Sequence, residues 1–170
     1  MEQKTSKNLI ITYGLLLGTV SILISVIKYV FSSNILDKSI IESVTGILIT
    51  IALVVIPITI FKKENNSQLT LSQSLKIGMG VSAIAGVIGA LYFFVFANYI
   101  QPDIIDKLMD MQIKEAMKTN PSMSAEQMQQ GMGMAKKFIM PMFYTMVIIT
   151  SLFFGFLTSL ITGLALRKEQ

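Results

Sequence analysis

Residues 75–100 read LKIGMGVSAIAGVIGALYFFVFANYI and contain a single charged residue, Lys76. The hydrocarbon core of a membrane is about 30 Å thick, and a helix needs about 20 apolar residues to cross it. Small residues recur at every fourth position of this stretch, so they lie along one side of a helix and allow close packing. They are Gly78, Ser82, Gly86 and Ala90. The stretch therefore predicts a membrane-spanning helix that packs closely against a neighbour.

Three other stretches are long and apolar enough to cross a membrane: residues 9–31, 40–61 and 138–166. Hydrocarbon offers the backbone no hydrogen bonds, so each span should be a helix. The sequence also lacks the ten-residue alternating segments of a membrane β-barrel. Charged residues make up 14% of the 170 residues, against about 25% in soluble domains. The predicted fold is an all-α integral membrane domain over residues 1–170, with four transmembrane helices.

The composition excludes several kinds of chemistry. The chain has no Cys and no His, which removes disulfides, thiol nucleophiles, His/Cys zinc sites and imidazole-dependent triads. Its net charge of +4 is explained by Lys and Arg residues that flank membrane spans, and no basic stripe interleaved with aromatic residues is present. We therefore expect no catalytic residues, no cofactor, no metal and no nucleic-acid partner.

The distribution of basic residues predicts the orientation. Lys4 and Lys7 precede an apolar run that is too long for the core of a signal peptide, so we interpret it as a retained first span. Four spans place both termini on one side, together with the basic residues around residues 62–76 and 167–168. The opposite side carries as many basic residues, but acids match those of its long loop. We expect both termini in the cytoplasm of a bacterium, with the spans in its inner membrane.

Two more spans carry small residues four apart. The first has Gly14 and Gly18, and the fourth has a longer series. The members of that series are Ser151, Gly155, Ser159 and Gly163. Such series favour contact between helices, either within a compact four-helix bundle or in a homo-oligomer. A substrate path lined by small residues is the alternative.

Ionisable residues are confined to the ends of the spans. Lys28 lies one turn from the end of the first span, and Glu42 lies near the start of the second. The short connection between these spans would allow the two to pair. We expect instead that both reach the membrane surface and stay solvated and unpaired. The absence of charge in mid-membrane argues against a proton-coupled transporter.

The connection between the third and fourth spans, residues 102–137, is polar and rich in methionine. Ten of the twelve methionines lie between Met109 and Met146. Apolar residues recur every four positions over residues 102–118, which predicts an amphipathic helix. They are Ile105, Met109, Ile113 and Met117.

A turn at Asn120-Pro121 should separate this helix from a second one. Residues 124–127, SAEQ, match the pattern of a capping box, which predicts a helix start. The new helix contains Met128 and Met132 and can continue into the fourth span, with a bend at Pro141. Together the two helices form an amphipathic hairpin.

The methionines have three interpretations. They can be adaptable apolar filler on a hairpin that lies on the membrane or caps the bundle. They can form a docking surface for a partner or for a mobile hydrophobic ligand, in which case Met109, Met117, Met128 and Met132 are the candidates. Met-x-Met pairs such as residues 140–142 could also ligate Cu(I), which thioethers suit. The first interpretation is favoured, because amphipathic spacing already explains most of the residues.

Several stretches of the chain resemble a known family. They are residues 13–18 (YGLLLG), 61–66 (FKKENN), 71–78 (LSQSLKIG), 99–103 (YIQPD) and 123–128 (MSAEQM). In these stretches the chain resembles the bacterial "domain of unknown function 4199" family of small membrane proteins. The resemblance covers nearly the whole chain and implies four membrane helices, with no assigned activity and no site residues to transfer.

The sequence favours a non-enzymatic protein with a structural, assembly or accessory role. Its expected partners are the lipid bilayer and either a second protein or further copies of itself. The alternative is a small oligomeric transporter or channel for an apolar or cationic solute. Enzymatic activity ranks third, because Tyr13, Asn98, Asp103 and Asp106 have no defined acid–base spacing.

Overall fold

A computed structural model describes residues 2–31, 40–119 and 125–167. Over these residues the chain forms five α-helices, and a short π-helix follows the third. Their bounds are α1 Glu2–Phe31, α2 Ile40–Glu64, α3 Leu71–Val95, π-helix Phe96–Ile100, α4 Ile104–Thr119 and α5 Ala125–Leu166.

The four predicted spans are confirmed. Four helical stretches are long and apolar enough to cross a membrane: Ser6–Phe31, Ile40–Glu64, Leu71–Ile100 and Phe138–Leu166. The predicted bounds differ by no more than four residues, because the helices extend into polar flanks that apolar runs do not mark. Many large apolar side chains on the spans are exposed, among them Phe31, Ile40 and Ile161. Such a surface is suited to lipid rather than water.

The amphipathic segment is helical, as predicted. In α4, Ile105 is buried and Met109 and Ile113 are half-buried, whereas Asp106 and Asp110 are exposed. The second predicted helix is continuous with the fourth span, because α5 runs unbroken from Ala125 to Leu166 with Pro141 inside it. The predicted turn at Asn120-Pro121 and the cap at Ser124 lie outside the described residues.

The connection between α2 and α3 is tightly organised. Asn66 and Ser67 adopt left-handed backbone conformations, with φ of 51° and 63°. The Thr70 hydroxyl then accepts a hydrogen bond from the Gln73 backbone N–H at 3.2 Å, and the Gln73 side chain accepts one from the Thr70 N–H at 2.8 Å. This reciprocal pair is a capping box that starts α3. Residues 70–73 carry the ordinary T-x-x-Q signature of this cap, which was not among the predicted helix starts.

The chain folds into two compact units. Residues 1–89 and 147–170 form the first unit, and residues 90–146 form the second. The core of the first unit contains Val54, Ile58 and Phe61 from α2 and Ile77 and Val81 from α3. The grouping of residues 1–170 into one domain stays a prediction.

The four spans make a labelling prediction. We expect single cysteines at Asn66 and Arg167 to react with a membrane-impermeant maleimide from one side of the membrane, and a cysteine at Asp110 to react from the other. An even number of spans between two positions places them on the same side, and the native chain has no cysteine to interfere. Labelling before and after permeabilisation of vesicles measures this. Reaction of Asn66 and Asp110 variants from the same side would refute the four-span topology.

Candidate functional site

Helices α3 and α5 meet along a line of alternating serines and glycines in the first unit. We call these eight residues the serine–glycine seam: Ser74, Gly78, Ser82 and Gly86 on α3, and Ser151, Gly155, Ser159 and Gly163 on α5. Each glycine lies against a serine of the other helix. The facing pairs are Gly78 with Ser159, Gly155 with Ser82, Gly86 with Ser151 and Gly163 with Ser74. Each step of four residues along α3 thus matches a step of four in the reverse direction along α5, as expected of antiparallel helices in register.

The approach at the centre of the seam is as close as glycine permits. A Cβ atom on Gly78 would overlap Ser159, and a Cβ atom on Gly155 would overlap Ser82. At Gly86 the nearest atom to such a Cβ would be Ser151 Cβ, at 3.1 Å. Any larger side chain at Gly78 or Gly155 would therefore force the two helices apart.

Two hydrogen bonds cross the seam. The Ser74 hydroxyl donates to the Ser159 carbonyl oxygen at 2.7 Å, and the Ser151 hydroxyl donates to the Ser82 carbonyl oxygen at 2.7 Å. Bonds of this kind between membrane helices contribute about 0.6 kcal/mol on average. The Ser82 hydroxyl is buried and has no hydrogen-bond partner within the described part of the chain. Ser74 was not among the predicted packing residues, although it lies one further step of four before Gly78.

Helix α1 packs on α3 in a different way. Ile84 lies over Gly14, with its Cβ 2.7 Å from the position of a glycine Cβ, and Ile88 lies over Gly18 in the same manner. Ile10 in turn lies over Gly80. The spacing of four is kept in the same direction on both helices, so α1 and α3 run parallel. The glycines singled out in the first, third and fourth spans are thus in contact with other helices of the same chain.

Lys28 and Glu42 form an ion pair, with 2.6 Å between Lys28 Nζ and Glu42 Oε2. The expectation that they stay unpaired is wrong. The two side chains come from the facing ends of α1 and α2, and both are incompletely exposed, at 24% for Lys28 and 46% for Glu42. Pairing at the edge of hydrocarbon lowers the cost of burying either charge.

A groove of about 300 Å³ lies beside this pair in the first unit. Its walls come from α1, α2 and α5 and combine hydroxyl, carboxylate and apolar groups. Its lining residues include Ser21, Ile24, Glu42, Gly46, Thr50 and Phe154.

The second unit contains an aromatic cluster. Phe93 stacks on Phe143 with 5.6 Å between ring centroids and meets the edge of Tyr144 at 5.9 Å. The Tyr144 hydroxyl donates to Met140 Sδ at 3.7 Å.

One turn of π-helix precedes α4, and it is closed by a 2.8 Å hydrogen bond from the Gln101 N–H to the Phe96 carbonyl oxygen.

Of the four candidate partner-binding methionines, the structure describes the side chain of Met109. Met109 is half-buried on α4, and Met111 beside it is exposed. The side chains of Met117, Met128 and Met132 lie outside the described residues. A separate apolar pocket of about 220 Å³ is lined by Ile139, Met142, Phe143 and Met146 of α5.

Three of the four polar residues considered for catalysis, Tyr13, Asn98 and Asp103, make contacts with neighbouring residues. Tyr13 packs against the core of the first unit, and the Asn98 amide donates to the Phe94 carbonyl oxygen at 2.8 Å. A hydrogen bond from Lys107, at 2.7 Å, lowers the pKa of the Asp103 carboxyl below its ordinary value. Among the described residues, no group of three or more His, Cys, Asp or Glu side chains could hold a metal ion.

Comparison with known proteins identifies a family and no closer relative. A family model described as "Protein of unknown function (DUF4199)" matches residues 12–168. The match confirms the resemblance in the sequence and extends over nearly the whole chain. No curated protein and no solved structure matches the chain.

The close approach at the seam predicts the effect of adding a side chain. We expect Gly78→Leu to lower the free energy of unfolding by about 1–3 kcal/mol or more, because the new side chain has no space against Ser159. Ala52→Leu is the matched control, since Ala52 is exposed on α2 and a larger side chain there has space. Thermal unfolding of both variants in detergent measures the difference. Equal stability of the two would contradict this packing.

The hydrogen bonds across the seam predict a smaller effect. Ser74→Ala should cost about 0.6 kcal/mol and no more than about 1.7 kcal/mol, because it removes a bond between membrane helices. Ser25→Ala is the control, since the Ser25 hydroxyl is exposed and bonds only to the Ser21 carbonyl oxygen of its own helix. The comparison uses reversible unfolding in mixed micelles. A loss at Ser25 as large as that at Ser74 would show that the interhelical bond contributes nothing specific.

Proposed function

We propose that this chain, which belongs to the DUF4199 family of proteins of unknown function, is a non-enzymatic membrane protein with an assembly or accessory role. Its helical bundle acts as a membrane anchor of fixed shape, and its methionine-rich segment contacts a partner. The observation that carries this proposal is the serine–glycine seam, which joins α3 and α5 with no space between them.

A bundle of this kind supports a scaffold better than a transporter. Alternating access requires helices that separate around a central site, whereas the two helices of the seam are in contact at four successive levels. Two interhelical hydrogen bonds add to this contact. The small residues thus serve packing and leave no path for a solute along this interface. An oligomeric transporter for an apolar or cationic solute remains the second candidate only for surfaces outside the seam.

The distribution of charge supports the same choice. Lys28 and Glu42 pair with each other near the ends of their spans, and the central turns of the four spans contain no ionisable Asp, Glu, Lys or Arg. Proton-coupled transporters depend on such residues in mid-membrane. An anchor needs none.

The methionine-rich segment is the proposed contact surface. Methionine side chains are flexible and polarisable, so they adapt to the shape of a partner. Met111 on α4 and Met142 and Met146 on α5 are exposed, and the last two line the apolar pocket of the second unit. The partner we propose is a second protein or another copy of this chain. We further propose a bacterial inner membrane as the location, with both termini in the cytoplasm.

Photo-crosslinking in cells tests the proposal. A photoreactive residue at Met128 or Met132 should yield one discrete protein adduct, because both positions lie in the proposed contact segment. The same residue at Ile161 is the control, since that side chain is 67% exposed on a membrane span and should meet lipid. Adducts are resolved by gel mobility and mass spectrometry. Lipid adducts alone at all three positions would reject a role in protein assembly.

A further inference from the structure

The groove beside Glu42 runs inward from one end of the first unit's helices. Glu42 lies at its outer end, and Thr50 lies further along α2. Eight residues of α-helix separate the two, which corresponds to about 12 Å. The groove thus extends from the region of the ion pair toward the interior of the membrane spans.

The inner walls of the groove present little unsatisfied polarity. The Ser21 hydroxyl donates to the Leu17 carbonyl oxygen at 2.8 Å, and the Thr50 hydroxyl donates to the Gly46 carbonyl oxygen at 2.9 Å. Their donor capacity is therefore used within their own helices. Ile24 and Phe154 supply apolar surface beside them. These walls suit a hydrocarbon chain, which needs no hydrogen-bond partner.

The outer end of the groove is charged. The Glu42 carboxylate lines the groove, and Lys28 Nζ lies 2.6 Å from its Oε2 atom. Glu42 is nearly half exposed, so an approaching cation can reach it. A negative and a positive group therefore stand side by side at the end where the spans meet the membrane surface.

The groove has a volume of about 300 Å³, at the lower end of the range for ligand pockets, about 300–1,000 Å³. Its apolar inner walls and its charged outer end match the two parts of a lipid molecule, which are an apolar chain and a charged head group.

We propose that the groove binds one phospholipid whose head group carries both a phosphate and a primary ammonium. One acyl chain lies along Gly46 and Thr50, between α1, α2 and α5. The ammonium group donates hydrogen bonds to Glu42, and the phosphate accepts from Lys28. The head group thus complements the ion pair charge for charge.

Filling the groove tests the acyl-chain part of the proposal. Gly46→Leu places a side chain in the groove, and because no atom lies within 4 Å of its Cβ position the fold should tolerate it. Ala52→Leu is the matched control, since it adds a similar volume to an exposed position of α2 outside the groove. Native mass spectrometry of the full chain with added phosphatidylethanolamine should show about tenfold weaker binding for Gly46→Leu. Ala52→Leu should bind as the unchanged protein does.

Exchange of the head group tests the charged part. Phosphatidylcholine has the same phosphate and a quaternary ammonium without N–H groups, so it should bind about tenfold more weakly than phosphatidylethanolamine. Glu42→Gln combined with Lys28→Met should remove this preference, while binding of the acyl chain persists. Thermal unfolding of each variant shows that the protein remains folded.

Three results would overturn the proposal. The first is equal binding of phosphatidylethanolamine by Gly46→Leu and Ala52→Leu. The second is equal binding of the two phospholipids by the unchanged protein. The third is a lipid-free dimer that Gly46→Leu converts to a monomer, which would make the groove an interface between copies of this chain. None of these results depends on whether the methionine-rich segment contacts a partner.

Discussion

The close approach of α3 to α5 is the contact on which the first unit depends. Lipid tails are as apolar as leucine side chains, so hydrophobic burial does little to bring helices together inside a membrane. Association has to come from van der Waals contact and from hydrogen bonds, and both require the backbones to be close. Alternating Ser and Gly on the two helices meets this requirement, because each glycine leaves the space that a facing serine fills. The serine hydroxyls then reach backbone carbonyls of the opposite helix.

Helix α3 contacts each of the other three spans. Gly78 lies against Ser159 of α5, and Val54 of α2 lies 3.1 Å from the position of its missing Cβ. On another side of the helix, Ile84 and Ile88 fill the space over two glycines of α1. Toward α5 the small residues of α3 face small residues, whereas toward α1 each glycine faces an isoleucine of the other helix. A single span with two different packing faces thus fixes the positions of three partners.

Most hydroxyl groups on the described spans find a backbone partner. Thr59 bonds to the Val55 carbonyl oxygen and Thr162 to that of Thr158, and the buried Ser82 hydroxyl is an exception among the described residues. The one ion pair between described spans, Lys28 with Glu42, lies where α1 ends and α2 begins. Such an arrangement keeps charge out of the centre of the membrane. It also places the ion pair beside a groove whose inner walls are apolar or carry hydroxyl groups that bond within their own helices. The combination is suited to an amphipathic molecule.

The sequence was sufficient to predict the four spans and the amphipathic helix after the third, because apolar length and helical periodicity act locally. It also identified small residues such as Gly78, Ser82, Gly155 and Ser159 as packing positions. The Thr70–Gln73 cap has a local signature as well, T-x-x-Q. Which residues face each other followed from the tertiary structure alone. The register of α3 on α5 and the pairing of Lys28 with Glu42 depend on distances between helices, and a pattern along one chain does not contain those distances.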